Sequence, residues 1–322
     1  MGNSDIRTLG NIKETKQDNL SGKFVAVDAS NWLYKYMTTT ARFTDTESYT
    51  NNNGVELPNL IGVPQGIKKF IEYNVHPVFV FDGKPNDMKS DEIKRRKNIR
   101  DKAAKKAKES NNKIDTSVYQ SRSQTLNDEI IKTTKELFEH LSVPYITAPQ
   151  AAEAQTAYMT NTGDFYAAVT DDYDSLIFGA ENTIRKYTTS ESIIELMNLE
   201  KTLTNNNITY KKLILATILC GTDYNDGVSG VGPKTSLKLV KEHDTIKQLE
   251  EKLEVEIENG KEILELYMHP PITDDWPEPQ RLNPNVEKTK QYIKNQGINI
   301  NTVESTLSKI SENSTQTGLN SF

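Results

Sequence analysis

The chain has 322 residues, with 39 Lys+Arg against 45 Asp+Glu and a formal net charge of −6. Its length allows one large domain or two small ones, and 35% apolar residues with 8% aromatics are enough for a core, which argues against wholesale disorder. One cysteine, Cys220, and four histidines exclude a disulfide framework, a multi-cysteine zinc site and a His-rich metal centre, so a bound metal would need carboxylate ligands.

The opening MGNSDIRTLG lacks an apolar core, and no run of about 18 apolar residues follows, so neither a secretory signal nor a membrane span is expected. The segments KFVAVDAS (23–30) and HPVFVFDG (76–83) are short apolar runs that meet a carboxylate, Asp28 and Asp82, at their ends. Both read as buried parallel strands. Residues 44–59, rich in Asn and Thr, read as an inserted surface loop. PQGIKKFIEYNV (64–75) has helical spacing with Pro64 in the first turn, which completes a βαβ unit.

Residues 84–113 hold twelve Lys/Arg and five Asp/Glu, a local balance of +7 that leaves −13 for the rest of the chain. The segment is helix-favouring and polar all round, which suits either a solvated helix or one that tracks a phosphate backbone. Further strands are expected at VPYITA (143–148) and FYAAVTDD (165–172), with an edge hairpin formed by NTIRKY and SIIELM. From about Tyr210 onward the pattern is helical. These elements predict an α/β fold in which a mostly parallel sheet is flanked by helices. In such sheets ligands bind beyond the carboxyl ends of the strands, where the acids fall.

Asp28, Asp82, Asp172, Asp174 and Asp223 all follow apolar segments, and Glu153 lies in the helix-like AAEAQTAYM. A single Asp at a strand end is more often a helix N-cap than a ligand. Several converging on one crevice raise each other's pKa unless a cation neutralises them, and oxygen donors without thiol or imidazole suit magnesium better than zinc. Two such ions can activate a water and stabilise the leaving oxygen of a phosphodiester, which points to a nuclease. In CGTDYNDGVSGVGPKTSLKLVKEH (220–243), Gly230 and Gly232 precede a helix expected to start near Pro233, with Lys234 beside it. A glycine turn that opens a helix offers N–H donors to a phosphate, so this block reads as a DNA-backbone clamp.

The blocks VAVDASNWLY, PVFVFDGKP followed by KSDEIKRRK, APQAAEAQ, VTDDYDSLIFG and LCGTDYNDGVSGVGPKT, in this order, resemble the XPG-type structure-specific 5′ nuclease family of flap endonucleases, most of all its archaeal members. The resemblance spans essentially the whole chain. It implies a PIN-like sheet, a helical cap and a helix-two-turn-helix element. It implies that Asp28, Asp82, Glu153, Asp172, Asp174 and Asp223 hold two Mg2+ ions and that Lys89 and Arg96 face the scissile phosphate. Tyr34 would stack on a nucleotide, although a helix-borne Tyr is equally a core residue. Gly2, Gly230, Gly232 and Lys234 would contact DNA, and the helix-two-turn-helix would also take K+.

The tail STQTGLNSF reads by composition as polar and disordered. The resemblance instead makes it a box for the sliding clamp PCNA, with Gln316, Leu319 and Phe322 spaced for one helical face. The implied organisation is 1–100 N-terminal nuclease region, 101–130 cap, 131–265 internal nuclease region including the helix-two-turn-helix at 220–243, 266–312 helical extension and 313–322 clamp-binding tail. The expected enzyme is a monomeric, cytoplasmic, nucleoid-associated 5′ flap endonuclease and 5′-3′ exonuclease acting on flapped or nicked DNA.

One position departs from the pattern. Where the family has Glu-x-Glu, this chain has Ala151-Ala152-Glu153. The alternative reading is therefore a clamp-tethered junction binder with impaired catalysis. A PIN-like ribonuclease would share the acidic crevice, but such domains generally lack the glycine clamp and the long basic insertion.

Overall fold

The computed structural model describes residues 7–84, 126–187 and 192–319, the side chains after 313 excepted. Lys89, Arg96, Gly2 and Phe322, nearly all of the expected cap, and the side chains of Gln316 and Leu319 lie outside the described residues. Among those described, seven strands form one sheet in the order β1-β7-β6-β5-β2-β3-β4. They are β1 (Ile12–Lys16), β2 (Phe24–Asp28), β3 (His76–Phe81), β4 (Tyr145–Thr147), β5 (Ala167–Val169), β6 (Asn182–Arg185) and β7 (Ile193–Asn198). Pairing is parallel from β4 across to β6 and antiparallel for β6/β7 and β1/β7. The sheet is thus mostly parallel, with the expected hairpin toward one edge.

Alternation along the central strands sends side chains into two cores. Val25, Val27, Phe79 and Phe81 face α1 (Ala29–Phe43), α2 (Thr46–Tyr49), α3 (Asn59–Glu72) and α4 (Asp128–His140). Ala26, Val78 and Val80 face α5 (Ala152–Asn161). Beyond α5 a third apolar cluster joins α6 (Asp174–Ile177) to α8 (Tyr210–Cys220), α9 (Pro233–Glu242), α10 (Ile246–Leu253) and α11 (Gly260–Met268), with α7 (Leu199–Asn206) alongside. The chain closes with α12 (Val286–Asn295) and α13 (Glu304–Leu319), and α13 packs on α3. Among the described residues no helix is long and apolar enough to cross a membrane.

Three expectations are corrected. Pro64 lies inside α3, not in its first turn, because the helix starts five residues earlier at Asn59. The buried Asn59 side chain anchors that start, donating to the hydroxyls of Thr133 and Thr134 at 2.9 Å each. Residues 44–59 are more than a surface loop: they contain α2, and Tyr49 and Leu57 are fully buried. The edge strand β1 has no counterpart in the sequence reading, because IKETK has no continuous apolar run and takes its strand conformation from pairing with β7.

Candidate active site

The acids gather beyond the carboxyl ends of β2, β3 and β5. Asp28 ends β2 and caps α1, its carboxylate accepting from Asn31 N at 3.0 Å and from Thr170 Oγ1 at 3.1 Å. Asp82, just past β3, accepts from Ser30 Oγ at 2.5 Å and from Ala152 N at 3.0 Å, which ties the start of α5 to the end of β3. Gly83 permits this closeness, since a Cβ there would lie 1.9 Å from Ala148 O. Glu153 follows in the first turn of α5. Asp172 accepts from Asp174 N at 3.2 Å, and both carboxylates are buried. Asp223 stands half-buried in the turn between α8 and α9. The cluster thus runs from buried Asp28, Asp172 and Asp174 out to exposed Asp82.

The electrostatics tie these residues together. Burial pushes the Asp28 carboxyl well above the ordinary carboxylate range, and the charges of Glu153, Asp82 and Asp172 push it further, against the Asn31 N–H. A second grouping surrounds Tyr267, whose buried phenol is raised by burial and by the charges of Asp174, Asp223 and Asp172. Asp172 is common to both. The set is all oxygen and mutually repelling, which fits hard divalent cations. Among the described residues no three such side chains already stand at the spacing of a closed metal cage. Asp28, Asp82 and Asp172 each accept from the protein donors named above.

Asp171, in the bend that follows β5, stands apart. Its carboxylate meets Lys35 Nζ at 2.7 Å and Lys186 N at 2.8 Å, and these groups hold its pKa down against the upward push of burial. Tyr34, on α1, is 41% exposed, so it is not a core residue. At the other end of the site Gly232 is the N-cap of α9 with Pro233 in the first turn, and Lys234 is exposed beside it. A Cβ on Gly232 would meet nothing within 4 Å, and its φ of −94° suits any residue. Nothing in the protein's own packing requires glycine there, which leaves room for the close approach of a ligand.

Sequence reasoning missed the groups that hold the acids: Ser30, Asn31 and Thr170 as hydrogen-bond donors, and Tyr267 as the aromatic between α6 and the Asp223 turn. The first three were legible in DASN and VTDD as short polar residues beside the acids. Tyr267 carried no local signal, since it packs on Phe178 and Tyr224 from a distant helix.

Known proteins share this fold and much of this sequence. The family profile described as XPG N-terminal domain matches residues 3–103, and that described as XPG I-region matches residues 142–223. Flap endonuclease 1 of Haloarcula marismortui is 39% identical over 323 residues, covering 99% of each chain. The solved flap endonuclease-1 of Methanococcus jannaschii superimposes with a TM-score of 0.75 at 27% identity, covering 97% of this chain and 99% of that one. The catalytic core of Rad2, solved in complex with DNA substrate, shares the fold with a TM-score of 0.69 at 24% identity, covering 92% of this chain and 95% of its own. With this coverage and identity, the chain belongs to the flap endonuclease family of XPG-type nucleases.

Proposed function

We propose that this nuclease cuts DNA at the junction of a 5′ flap, during Okazaki-fragment processing in replication and in repair. The observation that carries the reading is the convergence of Glu153, Asp82 and Asp172 on the buried Asp28 carboxyl. Divalent-metal dependence follows from family membership. The finer reading is that Asp28, Asp82, Glu153, Asp172, Asp174 and Asp223 hold two Mg2+ ions. Bound there, they would supply Lewis acidity to the attacking water and the leaving oxygen.

The chain's own residues do the rest. Lys89 and Arg96 stabilise charge on the phosphate as it develops. Gly230, which has a φ of +78°, and Gly232 bring backbone N–H groups at the α9 start toward a duplex phosphate. Lys234 adds charge there, and K+ would sit in the same helix-two-turn-helix. Tyr34 offers its exposed ring to an unpaired base and Gly2 lies against the DNA. In the tail, Gln316, Leu319 and Phe322 dock the sliding clamp PCNA, a role supported by a backbone that stays helical to Leu319. The domain division of the sequence reading, a monomeric state and a nucleoid-associated cytoplasmic location belong to the same proposal.

The test is cleavage of an end-labelled double-flap DNA in Mg2+ by the parent chain and by Asp174→Ala. One cut near the junction by the parent, lost in the variant, is the expected result. Equal cutting by the variant, or faster cutting of an RNA hairpin than of the flap, would overturn the proposal.

A further inference from the structure

Glu195 lies in the middle of β7, an unusual place for a carboxylate, and is only 2% exposed. Three cations surround it: Arg7 Nη2 and Arg185 Nη1 each at 2.9 Å, and Lys186 Nζ at 2.8 Å. Arg185 is its cross-strand partner on β6. An ion cluster of this kind gives little net stability, because desolvation consumes most of the Coulombic gain and a well-packed apolar set would do as well. What it does provide is fixed direction. Arg185 also grips the neighbouring loop, where Nε donates to Asp171 O at 3.0 Å, the same Nη1 donates to Tyr173 Oη and Cζ lies 3.8 Å from the Tyr173 ring centroid. Arg7 Nη1 donates to the same Tyr173 hydroxyl at 3.1 Å.

The loop is held on the α1 side as well. Asp171 N donates to Asn31 Oδ1 at 3.0 Å, and the Asp171 carboxylate pairs with Lys35. Both neighbours of Asp172 are therefore tied down, while Asp172 itself faces the acid cluster. Asp172 and Asp174 repel the carboxylates around them, so in the absence of a counter-ion the loop is pushed out of the cluster. A rigid tether on its outer side opposes that push.

We infer that Glu195, acting through Arg185, is a positioning residue that fixes the backbone of residues 171–173 and so keeps Asp172 and Asp174 in the metal-holding cluster. The inference rests on the reading of those two acids as metal ligands. Substituting Glu195 leaves Arg185 without its counter-charge and free to swing away from Asp171 and Tyr173.

The test compares the full chain with Glu195→Gln, Glu195→Asp, Tyr173→Phe and Asp172→Asn. Mn2+ binding is followed by calorimetry without DNA, and flap cleavage is followed over a Mg2+ titration. Glu195→Gln is expected to weaken Mn2+ binding about tenfold and to raise the Mg2+ needed for half-maximal cleavage by a similar factor, the scale seen when a partner behind a metal ligand is removed. KM for the flap should not move, and Glu195→Asp should recover most of the loss. Tyr173→Phe, which removes only the hydroxyl that both arginines grip, should shift the same midpoints in the same direction by less. It decides the question if Glu195→Gln fails to fold. Wild-type metal midpoints in Glu195→Gln, or in Tyr173→Phe where that variant must decide, overturn the inference, provided Asp172→Asn loses metal binding. If Asp172→Asn binds metal and cuts like the parent, the ligand reading falls instead.

Discussion

Ala151→Glu restores the acid that the family pattern places before Glu153, and its consequences can be worked out from the site. Ala151 is the N-cap of α5, with extended backbone (φ −77°, ψ 132°) and no side-chain cap, directly before the N–H that Asp82 accepts. A glutamate there joins a cluster in which Asp28 is already pressed by three neighbouring charges. For unit charges roughly 6 Å apart at an effective dielectric of about 20, each new like-charge pair costs about 3 kcal/mol. The helix N-terminus returns about 0.5 kcal/mol. With one such pair the variant should therefore be about 2 kcal/mol less stable without metal at pH 7, a fall in melting temperature of about 3 °C for a chain of 322 residues. Protonation removes the repulsion, so the deficit should vanish as the pH falls through the carboxylate range. A divalent cation reverses the sign: an attraction of about 2 kcal/mol tightens its binding roughly thirtyfold. The assay is thermal unfolding in chelator and across a Mg2+ series, alongside flap cleavage over the same series. A variant as stable as the parent in chelator, with an unchanged Mg2+ midpoint, would show that position 151 does not face the cluster and that the reasoning is wrong.

Asp28→Asn should stabilise the metal-free protein at pH 7 to 8 and abolish cleavage. A carboxyl with a raised pKa contributes stability at low pH and loses it as the pH rises through that pKa, so the variant's advantage should shrink toward pH 4, as read from urea midpoints. Glu195 has the opposite sign. Burial pushes its carboxyl up, but hydrogen bonds from Arg7 and Lys186 and the charges of Arg185 and Arg7 outweigh it and hold it at about 2 against an ordinary 4.5. Its stabilisation is complete above pH 4.5 and is lost as the pH falls toward 2. That span is worth about 3 kcal/mol in full, reduced to about 1–2 because water screens the half-exposed Arg7 and Lys186. The urea-midpoint gap between the parent and Glu195→Gln should narrow accordingly; a gap constant from pH 7 to pH 3 would contradict it. Gly232→Ala should change stability by no more than about 1 kcal/mol, because the added methyl meets only open space and the entropy gained by losing glycine offsets the poorer helix N-cap, yet weaken duplex binding in a fluorescence titration. Unaltered DNA affinity would remove this glycine from the interface.

Asp28 and Asp82 could be found from the chain alone because a parallel strand buried on both faces reads as an apolar run, and an acid at its end stands out. The start of α3 could not, because Asn59 is held by Thr133 and Thr134, more than 70 residues away in sequence. Nor could β1, whose sequence carries no strand pattern until β7 lies beside it. Glu195 has the least legible role of all: within IIELMN it looks like the solvent-facing residue of an edge strand, and only the meeting of Arg7, Arg185 and Lys186 around it makes it a buried counter-ion. Chemical identity and local periodicity, written in neighbouring residues, determined the family, the acids and the sheet. Which side chains hold those acids in place was decided only by the tertiary structure, because the holding groups come from segments far apart in the chain, and their charges act over ångströms of space whatever their separation in sequence.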